Sequence, residues 1–263
     1  MQQIARWYNG YSWDGVTRVY CPFSFLIFLE QQEFKSYWFE TATPTFLVQL
    51  VRQAQINPLE FNSSQLDSNA ISITNVEQLD PISLMFQTGY LTIQSIHKTM
   101  NGTSYTLSYP NQEVRQAFSS NLLLEYSQFY PSRLSGFSLQ LEAALQNFNW
   151  ELVFQICNQI FAGIPYDIFP RYESYINSLM HLMLTSTGLP TYSQVQTSVG
   201  RMDTLVITAT HSLIFEFKIK GTAEEALAQI NTTGYADSLV GAVVKIGVVF
   251  DLEKKCVSSW AVG

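Results

Sequence analysis

Apolar and polar positions change rhythm twice along the chain, and the changes divide it. Ser24, just after Pro22, stands as the cap of a short apolar helix through Glu30, and Phe46 to Gln55 is a second helical stretch. Residues 1–20, crowded with Trp7, Tyr8, Tyr11 and Trp13 around Gly10 and Gly15, read as a segment rich in turns. A polar stretch, Asn62 to Ala70, reads as a loop, and Pro81 to Gln87 as a helical turn. Tyr90 to His97 and Tyr105 to Tyr109 alternate as strands around Asn101-Gly102, a strong hairpin signal. Glu113 to Tyr126 returns to helix. Helices followed by a hairpin predict a small, mainly helical module of winged-helix type.

Tyr130 to Gly136 combines turn formers with weak periodicity and marks a boundary, giving domains at 1–137 and 138–263. Beyond it, helices are expected at Ser138 to Asn147, Trp150 to Ala162 and Pro170 to Thr187. Three strands follow, at Tyr192 to Ser198, Met202 to Thr208 and Ser212 to Lys218. A helix at Ala223 to Ile230 and strands at Ala242 to Phe250 and Val257 to Val262 complete the order. That order predicts an α/β domain with a mixed sheet flanked by helices.

Composition adds a large core and removes some functions. Of 263 residues, 47% are hydrophobic and only 13% charged. The formal charge of −7 opposes simple coating of nucleic acid, and neither 1–137 nor 138–263 is net basic. It opposes an enzyme less strongly, because carboxylates that hold a cation add negative charge themselves. Cys21, Cys157 and Cys256 are too few and too scattered for a disulfide framework or a zinc site, which fits a reducing, cytoplasmic setting. No run is long enough to span a membrane. His97, His181 and His211 fall in separate settings and predict packed or solvated side chains. The chain also lacks the G-x-x-x-x-G-K-[ST] phosphate loop that nucleotide hydrolysis would need.

The densest chemistry lies in Met202-Asp203 through Glu216-Phe217-Lys218. A hairpin centred on Ala209-Thr210 sets Thr208 opposite His211, and the same register sets Asp203 opposite Glu216. Strand alternation then sends Glu216 and Lys218 to one face and Phe215 and Phe217 to the other. Two carboxylates that close repel each other unless a cation lies between them. Oxygen ligands of this kind, with the Phe217 carbonyl as a further one, suit Mg²⁺ or Mn²⁺, and Lys218 can steady charge on phosphorus. Spacing alone fits strand-end charges and edge-protecting lysines equally well.

Longer segments break that tie. Trp7-Tyr8-Asn9-Gly10-Tyr11, Val19 to Ser24, Tyr37 to Leu47 and Phe86 to Ile93, then Phe161 to Pro165, Gly200-Arg201-Met202-Asp203, Glu216-Phe217-Lys218 and Glu224 to Ile230, occur in one order. In them the chain resembles the PD-(D/E)XK nuclease superfamily, in the bacterial branch whose nuclease domain follows an AAA-ATPase-like region. The resemblance implies a restriction-endonuclease-like sheet at 138–263, with 1–137 as the end of the ATPase-like region. It implies a metal-dependent nuclease acting on DNA or RNA, with Asp203 and Glu216 as metal ligands and Lys218 as the catalytic lysine. Glu173, ahead of the sheet, is implied as a further acidic residue, though it equally suits a helix start. Gln229 and Tyr235 match substrate-facing residues of some branches, with five residues between them where the best-known version has three. Arg201 is a candidate phosphate contact. Met202 replaces the proline of the superfamily's name, and Cys21 replaces a common Asn. A nuclease fold kept only as a silent interaction module is the alternative, which the acidic charge favours and the intact triad opposes.

Overall fold

The computed structural model describes residues 2–40, 44–68, 70–71, 80–100, 102–164, 173–196, 201–232 and 241–263. They group into two compact units, residues 1–121 and 122–263, a division upstream of the 137/138 boundary expected from sequence. Among the described residues no helix is long and apolar enough to cross a membrane.

In the first unit, α1 (Gln2–Tyr8), β1 (Asn9–Tyr11), β2 (Val19–Tyr20), α2 (Pro22–Gln31) and α3 (Tyr37–Glu40) enclose an aromatic core of Tyr8, Phe28 and Tyr37. The helix at α1 replaces the turns expected there. Its final residue, Tyr8, is fully buried, and its hydroxyl donates to the Lys35 carbonyl at 3.0 Å. Glycine is required at Gly10, where an added Cβ would lie 1.7 Å from the Pro110 carbonyl oxygen and φ is +142°.

α4 (Thr45–Gln53) and α5 (Pro81–Gln87) lie close to their expected bounds, α5 capped by Asp80, whose carboxylate accepts from the Ser83 amide at 2.7 Å. β4 (Thr92–Thr99) and β5 (Gly102–Ser108) form the expected hairpin, although Asn101 lies outside the described residues. A third strand joins them: β3 (Ser64–Asp67) pairs with β5 inside the stretch expected to be a loop. Its side chains alternate between half-buried and exposed, so its hydrophobic contrast is too small to read from sequence. α6 (Gln112–Ser127) follows.

The second unit holds α7 (Pro131–Gln146), α8 (Trp150–Gly163) and α9 (Glu173–Ser186). α7 starts earlier than expected: Pro131 occupies its first position, where a proline costs no hydrogen bond, and so begins a helix inside the expected boundary segment. After α9 come β6 (Thr191–Gln196), β7 (Arg201–Ile207), β8 (His211–Lys218), α10 (Ala223–Thr232), β9 (Ala242–Asp251) and β10 (Cys256–Val262). They build one mixed sheet in the order β10-β9-β8-β7-β6, parallel only between β8 and β9. α10 forms the crossover between those two strands and buries Ile230 against Leu205 and Ile214. On the other face, Trp150 and Phe154 of α8 meet Phe215 and Trp260, and Phe161 meets Phe250. This is the expected α/β layering of helices on a mixed sheet, and it is compatible with a nuclease fold.

Candidate active site

The site begins with a short hairpin. The Thr208 amide donates to the His211 carbonyl at 2.9 Å, and the Thr208 hydroxyl accepts the His211 amide at 3.0 Å. From that turn the ladder runs Ile207 opposite Ser212 back to Thr204 opposite Phe215. One step further along this register lies Asp203, level with Glu216, as Thr208 and His211 imply. The Asp203 carboxylate turns back onto β8, where Oδ2 accepts the Phe217 amide at 2.9 Å. Phe215 and Phe217 stack with centroids 6.0 Å apart, and both are buried in the core.

Glu216 is only 2% exposed, an uncommon place for a carboxylate. Its Oε1 accepts from the Gln229 side-chain amide on α10 and lies 3.4 Å from the Lys218 ammonium. Its Oε2 is buried and has no hydrogen-bond partner among the described residues. Burial and then the nearby Asp203 charge push the Glu216 carboxyl from its ordinary 4.5 up to about 7. Lys218 pulls the other way, and Glu173, in the first turn of α9, adds a further push upward. Lys218 keeps 27% of its side chain exposed, so its charge reaches both the carboxylate and the solvent.

Asp203, Glu216 and Lys218 are therefore brought together, and Glu173 lies within electrostatic range of Glu216. Phe217 contributes its amide to Asp203. Arg201 opens β7 opposite Gln196, with only its backbone among the described atoms. Tyr235 lies outside the described residues. Gln229 contacts Glu216 directly, a contact that its expected substrate-facing position did not include.

The set fits a hard divalent cation. A buried carboxylate oxygen without a donor, beside a second carboxylate, is an electrostatic deficit that a cation removes. Among the described residues no three His, Cys, Asp or Glu side chains gather as a ready cage. Mg²⁺ commonly relies on one or two carboxylates and completes its shell with water. The three histidines are separate, as expected: His97 near Ser95, His181 near Thr185 inside α9, and His211 against the Phe148 ring.

Sequence reading missed Gly247. It lies opposite Glu216 in the parallel ladder, and an added Cβ would stand 2.2 Å from the Ala223 carbonyl oxygen and 2.6 Å from the Leu227 nitrogen. The signal was a lone glycine in a Val/Ile-rich strand, which marks close backbone approach. Also missed was Glu113, fully buried in the first unit.

Residues 171–260 match the family model of the PD-(D/E)XK nuclease superfamily. Over 99% of its length the chain is 33% identical to the "Uncharacterized protein in vnfD 5'region" of Azotobacter chroococcum mcd 1. It spans about half of that curated relative, 52% of its length. No solved structure matches the chain.

Proposed function

We propose that the second unit is a metal-dependent nuclease that hydrolyses phosphodiester bonds of DNA, with RNA as the second substrate to test. The observation that carries this reading is Glu216: buried, beside Asp203, with one oxygen unpartnered among the described residues. Asp203 and Glu216 would hold Mg²⁺ or Mn²⁺, with the Phe217 carbonyl as a further ligand. When bound, such a cation lowers the pKa of its water and withdraws charge from phosphorus. Lys218 supplies a positive group beside the carboxylates, where it can orient the attacking water and offset charge developing on the phosphate. Glu173 tunes the local charge, and Arg201, Gln229 and Tyr235 are proposed on the substrate side.

The superfamily domain supports a nucleic acid as substrate. In this reading residues 1–137 are the end of an AAA-ATPase-like region, and an ATPase partner or region acts with the nuclease. The three cysteines are free, which suits a reducing cytoplasm.

The test is incubation of the wild-type protein and Asp203→Ala with plasmid, single-stranded DNA and RNA, in Mg²⁺ or Mn²⁺. Cleavage by the wild type and none by the variant is the expected result. Equal background from both selects the rival that the charge of −7 favours, a silent nuclease-fold module for nucleic-acid or protein interaction.

A further inference from the structure

Three features of α10 converge on Glu216. Its start is fixed by a reciprocal cap: the Thr222 amide donates to Glu225 Oε2 at 3.0 Å, and the Glu225 amide donates to Thr222 Oγ1 at 3.2 Å. Its approach to the sheet is set by small residues. Ala223 and Ala226 are buried, and Gly247 lacks the Cβ that would collide with the helix backbone. Gln229 lies one turn beyond Ala226, on the neighbouring stripe of the helix. At that depth and rotation its amide nitrogen donates to Glu216 Oε1, while Oε2 has no donor among the described residues.

A carboxylate free to rotate would present either oxygen. Here Gln229 and Lys218 both engage Oε1.

We propose that Gln229 is a positioning residue of this site: from α10, seated on Gly247, it pins Glu216 Oε1 and leaves Oε2 as the oxygen offered to the divalent cation. The inference rests on the metal-dependent reading above, and it replaces substrate contact as the main task of Gln229. Partners that orient a ligating carboxylate typically influence metal affinity by about 10–100-fold.

The experiment measures Mn²⁺ binding to the whole chain without nucleic acid, by electron paramagnetic resonance. It compares wild type, Gln229→Met, which keeps volume but loses the donor, and Gln229→Ala as a second truncation. Melting curves of the cation-free proteins check folding, and Asp203→Ala is the reference for a lost ligand. The expected result is Mn²⁺ affinity about tenfold weaker in both Gln229 variants, with the cation-free melting temperature of Gln229→Met near that of wild type. Wild-type Mn²⁺ affinity in the variants overturns the inference and leaves the nuclease reading standing, above all if KM for DNA alone rises. Mn²⁺ binding that is absent from wild type, or unchanged in Asp203→Ala, overturns both.

Discussion

Among the described residues each unit buries one glutamate, Glu113 and Glu216, each with an unpartnered Oε2, and the two differ in the charges around them. Glu113, fully buried in the first unit, accepts the Ser24 hydroxyl at 2.8 Å and the Trp38 amide at 2.9 Å. Burial raises its pKa, and those donors with the Tyr37 amide hold it down. Its neighbours are neutral, so the carboxyl ties α2 and α3 to the start of α6. Glu216 is as deeply buried, but its neighbours are charged: Asp203 and Glu173 push its pKa up, and Lys218 opposes them. Burial alone therefore does not mark a site. A buried carboxylate packed against another carboxylate does, because the arrangement is costly to the fold and becomes favourable only with a cation.

The sharpest way to break this comparison is activity. Glu216→Gln and Lys218→Ala should each lower cleavage by about 10³-fold, whereas Glu113→Gln should leave it at the wild-type level; a plasmid-nicking time course decides. If Glu113→Gln abolishes cleavage while the protein stays folded, the contrast fails. Stability should respond the other way. Glu113→Ala strands the Ser24 hydroxyl and the Trp38 amide and should cost about 3 kcal/mol in urea unfolding.

The third prediction concerns pH. Because the Glu216 pKa is raised from 4.5 to about 7, the folded state binds this proton more tightly than the unfolded chain. Stability from this group is therefore complete below about pH 4.5, falls as pH rises towards 7, and is level above it. Glu216→Gln should remove the decline, stabilising the cation-free protein by about 3 kcal/mol at pH 8 and by nothing at pH 4. Mg²⁺ should recover part of the same loss in wild type, read from melting temperatures at both pH values. The smallest expected effect is at Gly247→Ala, which forces α10 off the sheet and should cost about 2 kcal/mol, with weaker Mn²⁺ binding as its second readout.

The hairpin of the site was legible because two signals agreed: a pair of short apolar runs, Leu205 to Ile207 and Leu213 to Phe215, and a turn that leaves Thr208 opposite His211. Together they fix the register, and the register fixes which charges share a face. β3 was not legible because Ser64, Gln65 and Asp67 offer no apolar alternation. The early start of α7 was hidden because Pro131 serves turns and helix starts alike. Gly247 and Gln229 belong to a different kind of information. Their roles depend on how close a helix lies to a strand, which spacing along the chain does not encode.

The placement of Asp203 and Glu216 on a single hairpin also bears on how fast the chain folds. Closing a short loop costs little entropy, so this pairing is among the earliest that a folding sheet can make. The strand pairing easiest to form thus carries the charges least willing to meet, and that repulsion is felt before α10 or the core can compensate. Refolding rates of the second unit should accordingly rise with Mg²⁺ or with falling pH, making the kinetics of assembly a reporter on the same two carboxylates.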